Sequence, residues 1–474
     1  MARRESDPSI VLGGRESLLH GEGVDNSMQD TKETSAGIDR PDKLMSTSLC
    51  RISGICKRDK VRRFRGLYTL LNKTNLRTAF YKLNSRAAFG VDRISFQDYE
   101  DNLDENLDEL VESLKQKRYR AKLIRRVYIP KTGGKLRPLG VPSINDKILQ
   151  MAVSEILTTL FDADFQDFSY GYRSGRNAHD ALDRLQKDLY ECKGYVVEAD
   201  IKSFFDNLDH KWLVRMLELR IDDRALIRLI RKWLKAGVLL PTGKVEYPQT
   251  GSPQGGIISP VLANIYLHYC LDLWFVKKFQ TQCRGISSLV RYADDFVAGF
   301  QYREDATLYM ECLKIRLEKF GLEVCEDKTR LIRFSRFGMG TKERNGRFDF
   351  LGFEFKWQLS RNGKAVITTE TSKAKLKQTM RTMKEWVKAH RNCRLRNLFT
   401  RLQQKLLGYY NYYGVRGNFR RMKTVYQFLV RLLYKWLNRR SQRRSFNWAV
   451  FEVILAYYEL PRPRIVCDGF GARC

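Results

Sequence analysis

Residues 288–300 read SLVRYADDFVAGF, two apolar arms around a tight acidic centre. Short apolar runs broken by a polar pair predict buried strands, so the stretch is expected as a β-hairpin with Asp294 and Asp295 near its tip. A carboxylate at the end of an apolar strand is costly unless it meets a cation or a donor. A third acid stands in the same position, because YVVEADI (195–201) is a short apolar strand running into Asp200. Between the two lies GSPQGGIISPVLANIYLHYCLD (251–272), a Gly-rich turn entering a helix whose stripe includes Ile258, Leu262, Ile265 and Tyr269. Carboxylates on neighbouring strands can hold two Mg²⁺ ions roughly 4 Å apart, one activating a hydroxyl and the other neutralising a leaving pyrophosphate. Strand alternation points Asp294 and Asp295 to opposite faces, so Asp200 and Asp294 are expected as principal ligands and Asp295 as support. An isolated D-D pair would be read as the cap of a turn; the second strand acid and the intervening helix outweigh that reading.

Working outward, the N-terminal 60 residues are polar and without apolar period, and read as a mobile leader. LYTLLNKTNLRTAFYKL (67–83) and residues 103–117 have helical spacing, and RRVYIPKTGGKLRPLGVP (125–142) reads as a hairpin turning at Thr132-Gly133-Gly134. Ser143 with Asp146 predicts a capping box before a helix over 148–160, and a helix near 305–320 is expected to stop at Gly321. Two short strands are expected in LEVCEDKTRLIRF and RFDFLGFEF. From residue 361 onward there are 26 basic and 5 acidic residues, which predicts a basic helical domain behind an α+β catalytic body.

Composition narrows the function. The 474-residue chain carries 86 Lys+Arg against 54 Asp+Glu, a net charge of +32, and a folded chain this basic most often meets nucleic acid. No run approaches the roughly 18 apolar residues of a membrane span, and the N-terminus lacks the apolar core of a secretory signal. Ten Cys are scattered with no C-x-x-C pair, which argues against a zinc ribbon and for reduced thiols in a cytosol-like compartment; a bacterial cytosol is expected, with an organelle as the alternative. His20, His179, His210, His268 and His390 form no local metal or triad pattern.

Taken in order, IPKTGGKLRPLGVPS, EADIKSFFDNLDH, TGSPQGGIISPVLANIYL, RYADDF, CEDKTR and FLGF resemble the blocks of group II intron-encoded reverse transcriptases and maturases, from about Asn72 to Ile465. The resemblance implies a right-hand polymerase of fingers and palm followed by an all-helical thumb, the maturase domain X. The corresponding boundaries are a leader at 1–60, fingers with an N-terminal RNA-binding extension at 61–190, palm at 191–368, thumb at 369–465, and a short tail at 466–474. It implies two Mg²⁺ held by Asp200, Asp294, Asp295 and the backbone carbonyl of Ile201. Lys135 and Arg137 would hold the incoming dNTP, with a solvated basic turn as the alternative. Phe205 would exclude a ribose 2′-hydroxyl, although Phe204 or Phe205 could be core. Gln254 and Gly255 would approach the nascent base pair. Lys328 would be the general acid for pyrophosphate or a snorkelling surface lysine. Tyr292 would lie beside the primer terminus or simply pack, and Gly352 would set the primer end or form a bulge.

In the basic region Tyr409, Tyr412, Arg416, Arg420, Arg421, Lys423, Arg439 and Arg440 would bind RNA, through stacking and phosphate contacts. The implied activity is RNA-directed DNA synthesis with maturase help to splicing, the partners being group II intron RNA, an RNA template with DNA primer, target DNA and dNTPs. The roughly 26 residues after Trp448 are too few for the endonuclease often found in this family, and Cys467 and Cys474 lack metal-ligand partners. The alternatives are a splicing-only RNA-binding maturase, or a reverse transcriptase of another bacterial lineage such as a retron or defence enzyme. An RNA-dependent RNA polymerase fits less well, since its box usually reads G-D-D.

Overall fold

The computed structural model describes residues 42–130, 136–252, 255–337, 346–360, 362–440 and 446–466. Ile124–Pro130 (β1) and Leu136–Val141 (β2) form the expected antiparallel hairpin, with Arg137 opposite Ile129; its turn, including Lys135, lies outside the described residues. Tyr195–Ala199 (β3) is the strand that ends at Asp200. Val238–Leu239 (β4) and Val245–Glu246 (β5) extend the first hairpin into a four-stranded sheet. Ser287–Tyr292 (β6) and Asp295–Phe300 (β7) are the two apolar arms, and with β3 and Arg330–Arg333 (β8) they make a sheet of order β6-β7-β3-β8. Phe348–Phe350 (β9), Phe353–Leu359 (β10) and Ala365–Thr371 (β11) form a third, antiparallel sheet.

The β6-β7-β3-β8 sheet is apolar on both faces because both faces are covered. On β7, Phe296, Ala298 and Phe300 enter one core while Val297 enters another; on β3, Val197 and Ala199 face the first and Val196 the second. The period of two thus sorts successive residues between two cores. The first core is closed by the helices Ile144–Phe161, Ser259–Leu267 and Arg303–Glu318. The second is closed by the helix Ala178–Cys192, strands β9–β11 and the C-terminal helices.

Local signals explain the element ends. Ser143 Oγ accepts from the Asp146 amide and starts the helix four residues before the expected Ile148, and Gly321, at φ 71°, follows the end of Arg303–Glu318. The N-terminal stretch departs from expectation. Asp42–Arg58 is a helix inside the stretch read as leader, with Cys56 fully buried and Leu49, Ile52 and Ile55 packed against the first core. Its apolar residues recur at helical spacing, but polar neighbours dilute the pattern over the whole leader.

The basic C-terminal quarter is helical as expected: Lys373–His390, Leu395–Tyr413, Phe419–Leu437 and Trp448–Tyr457. Lys356 and Arg421 both pair with Glu370, tying β10 and β11 to the helix Phe419–Leu437 and holding the Glu370 carboxyl below its usual range despite burial. Among the described residues no helix is long and apolar enough to cross a membrane.

Candidate active site

Register brings the acids together. Ala199 pairs with Phe296 on β7, so Asp200 emerges from β3 at the level of Asp295, and Tyr292 pairs with Asp295 across the turn. Asp294 is therefore in the turn itself and Asp295 is the first residue of β7; both are half-buried. Asp200 is 9% exposed. Its Oδ2 accepts from Lys328 Nζ at 2.8 Å, and its backbone oxygen accepts from the Cys325 amide at 2.7 Å. Asp200 Oδ1 is buried and takes no hydrogen bond, which costs on the order of 1–3 kcal/mol for a polar group left without a partner.

That orphaned oxygen, next to the Asp294–Asp295 turn, is the observation that fits a divalent ion. Among the described residues no group of three or more His, Cys, Asp or Glu forms a ready ligand cage. Ile201 follows, fully buried and bridged to Val324.

The turn is held from behind by residues to which the sequence reading gave no role. Arg291, within β6, is fully buried. Its Nε and Nη2 donate to the two carboxylate oxygens of the fully buried Asp272, at 2.8 and 2.5 Å. Nη2 also reaches Ser169 Oγ at 2.8 Å, and Nη1 reaches Asn264 Oδ1 and the Ala293 carbonyl, both at 3.0 Å. Ala293 adopts φ 58°, a left-handed conformation that costs an alanine roughly 1–2 kcal/mol, and the bond to its carbonyl helps to hold it there. Gly171 packs so closely that a Cβ there would lie 2.3 Å from the Ala293 amide nitrogen, and Asn264 Nδ2 donates to the Gly171 carbonyl at 2.7 Å. A buried charge in the middle of an apolar strand was the available signal: SLVRY demands an acid partner, and the structure supplies Asp272 from the segment after the Gly-rich turn. Tyr172 completes the surroundings. Burial pushes its hydroxyl well up, and Asp294 adds to the shift while Arg137 opposes it.

His268, one turn before Asp272, is pushed down to about 4 by burial, although Asp272 pulls the other way. The unfolded chain, with a histidine pKa of about 6.5, then takes up the proton first. This contribution to stability is therefore constant above about pH 6.5 and declines as pH falls toward 4, by about 3 kcal/mol in all. Urea midpoints at pH 7 and 4.5 should differ less in His268→Gln than in the wild type; equal differences would remove His268 from the acid response. The other described histidines each donate to a backbone carbonyl: His179 to Tyr412, His210 to Gly251 and His390 to Trp386.

The remaining candidates divide by place. Phe204 is core at 1% exposure, while Phe205 is half-buried with its ring edge-on to Phe204, 5.3 Å away. Gly255, at φ 105°, would put a Cβ 2.6 Å from the Gly140 carbonyl of β2, so the Gly-rich turn lies directly on the first hairpin; Gln254 falls outside the described residues. Tyr292 is half-buried and packs against the second core. Gly352 has φ 79° after Leu351 at 51°, making the tight turn between β9 and β10.

In the helical region Arg416, Arg420, Lys423 and Arg439 are exposed. The other four residues expected at RNA are engaged or covered within the protein. Tyr409 is buried, Tyr412 gives its hydroxyl to the Leu351 carbonyl at 2.9 Å, Arg421 is paired with Glu370, and half-buried Arg440 donates to the Cys393 carbonyl. The aromatic, apolar side of these helices, including Tyr409 and Tyr412, closes the second core.

The sheet thus presents acids from β3 and from the β6–β7 turn, with one carboxylate oxygen open. Residues 129–355 match the family described as reverse transcriptase (RNA-dependent DNA polymerase). The chain is 29% identical over 401 residues to the group II intron-encoded protein LtrA of Lactococcus lactis subsp. cremoris, covering 67% of this chain and 65% of LtrA. Protein YkfC of Escherichia coli (strain K12) is 31% identical over 329 residues, covering 62% of this chain and 83% of YkfC. A putative COX1/OXI3 intron 1 protein of Saccharomyces cerevisiae is 34% identical over 270 residues, covering 47% of this chain and 32% of that protein. The chain belongs to the reverse transcriptase family.

Proposed function

We propose that the chain is an RNA-directed DNA polymerase that copies intron RNA into cDNA, and a maturase that promotes group II intron splicing by binding the intron. The observation that carries the polymerase reading is the open Asp200 oxygen beside the Asp294–Asp295 turn. The reaction is attack of a primer 3′-hydroxyl on the α-phosphate of a dNTP, forming one P–O bond and releasing pyrophosphate. Two Mg²⁺ bound by Asp200, Asp294, Asp295 and the Ile201 carbonyl would supply hydroxyl activation and neutralise charge on the leaving group. Arg137, with Lys135 from the adjoining turn, is assigned to the triphosphate as an anion clamp. The half-buried Phe205 is assigned to the sugar, where its bulk would disfavour a 2′-hydroxyl. Lys328 holds Asp200 in place and is assigned as proton donor to pyrophosphate, so the surface-lysine alternative loses support. Gln254 and Gly255 are assigned to the nascent pair, and Tyr292 and Gly352 to the primer end.

Residues 61–190, 191–368 and 369–465 are read as fingers, palm and thumb. Arg416, Arg420, Lys423 and Arg439 are the cations offered to intron RNA or to a template–primer duplex, recognised by phosphate contact and shape. Target DNA is the further partner of this reading, and a reducing bacterial cytosol the setting. The test is direct: wild-type protein with a DNA primer on an RNA template should extend it with dNTPs only when Mg²⁺ is present, and should accelerate splicing of its cognate intron at low Mg²⁺. Tight intron binding without any dNTP incorporation would leave the splicing role and remove the polymerase.

A further inference from the structure

The helix Leu395–Tyr413 ends on Asn411-Tyr412-Tyr413, and these tyrosines meet the turn between β9 and β10. Tyr412 donates its hydroxyl to the Leu351 carbonyl at 2.9 Å, and its own backbone carbonyl accepts from His179 Nε2 at 2.7 Å. A Cβ on Gly352 would stand 3.1 Å from the Tyr413 hydroxyl, and the Phe353 ring lies 5.7 Å from Tyr412 and 5.1 Å from Tyr413. The turn needs such support, since Leu351 and Gly352 are both left-handed and a leucine adopts that conformation only under restraint. Tyr412 also faces the catalytic hairpin: burial pushes its hydroxyl up, and the neighbouring Tyr292 and Asp295 add to that shift. Behind this contact Asn418, fully buried, accepts from the Thr371 amide at 2.8 Å and donates to the Tyr413 carbonyl at 2.8 Å, so β11 and the helix end move together.

We propose that Tyr412 is a positioning residue, the link by which the C-terminal helical part sets the Leu351–Gly352 turn against the β6–β7 hairpin and so aligns the primer end with the carboxylates. This rests on the polymerase reading above. One residue joins two elements directly, the helix Ala178–Cys192 through its backbone carbonyl and the turn through its hydroxyl, and it packs on the same core as Tyr292 of the hairpin. A hydroxyl on a backbone carbonyl fixes a turn in a way that packing alone does not, because it constrains the peptide plane as well as its distance. Displacing reacting atoms by even a fraction of an ångström lowers a chemical step without weakening binding.

The test uses the full chain and a labelled DNA primer on an RNA template. Tyr412→Phe keeps the ring and removes the hydroxyl, and Tyr410→Phe is its control, since Tyr410 on the same helix gives its hydroxyl to the Pro461 carbonyl at 3.2 Å, away from the turn. Tyr412→Phe is expected to lower the single-turnover extension rate about tenfold, with duplex affinity and half-saturating dNTP within about twofold of wild type. Tyr410→Phe is expected to extend at the wild-type rate. A 2-aminopurine at the primer 3′ terminus should change its fluorescence on bound Tyr412→Phe and not on Tyr410→Phe, a readout that needs no catalysis. His179→Leu, which frees the other end of the link, should move both signals the same way and by less. Wild-type rate and fluorescence in Tyr412→Phe, or equal losses in both tyrosine variants, would overturn the proposal. A wild-type protein that fails to incorporate dNTPs, yet shows the fluorescence difference, would instead overturn the polymerase reading.

Discussion

Asp294→Asn is expected to lower Mg²⁺-dependent primer extension by about 10³-fold or more, while binding of intron RNA stays within about twofold. Asparagine has the shape of aspartate and suits a turn, so the hairpin closed by Tyr292 and Asp295 should persist. What it loses is the charge. A divalent ion gathered by Asp200 and Asp294 would be left with one carboxylate fewer at the point where charge must be neutralised, and several kcal/mol of transition-state stabilisation corresponds to about three decades in rate. RNA affinity should not follow, because removing a negative charge from a chain of net charge +32 does not weaken a contact with phosphates. Extension by Asp294→Asn within tenfold of wild type would falsify the assignment of Asp294 as a metal ligand. The measurement is single-turnover extension across a Mg²⁺ titration, with filter binding of the same RNA alongside.

The second large effect concerns stability. Arg291→Met should cost about 3–5 kcal/mol in urea unfolding, because it leaves the fully buried Asp272 carboxyl without its bidentate partner. Asp272→Leu added to it should restore much of that loss, since a buried ion pair exchanged for apolar side chains of similar volume is often neutral. Recovery should be incomplete, because Ser169, Asn264 and the Ala293 carbonyl still lose their shared donor. A double variant no more stable than the single one would show that these hydrogen bonds, and not the ion pair, hold the turn. Urea titrations followed by tryptophan fluorescence decide between the two.

Much of the palm was legible because its signals are local. Two short apolar arms around a polar break suit a buried hairpin, and Asp200, Asp294 and Asp295 stood out as charges where burial disfavours unpartnered ones. The helices after residue 372 and the cap at Ser143 followed from spacing and side-chain chemistry over a few residues. Arg291 was harder. It sits inside the quoted box, yet nothing local tells that its partners would be Asp272, 19 residues earlier, and Ser169, 122 residues earlier. The tyrosines of 409–413 were ambiguous for the opposite reason: aromatics beside cations fit an RNA-binding surface and a core-facing stripe equally well, and the structure packs Tyr409 and Tyr412 on the second core.

Residue order alone therefore determined the strands, the helices, the acids that share one end of the palm and the blocks that mark the family, because each depends on side chains within a few positions of one another. Only the tertiary structure decided which face of the helix Leu395–Tyr413 is covered, that Lys328 holds Asp200, and that a buried arginine supports the acidic turn. Those outcomes depend on which distant groups satisfy a buried charge or hydroxyl. A chain can carry the need for a partner at one position and its supply at another, but the pairing exists only once packing has brought the two within hydrogen-bond reach.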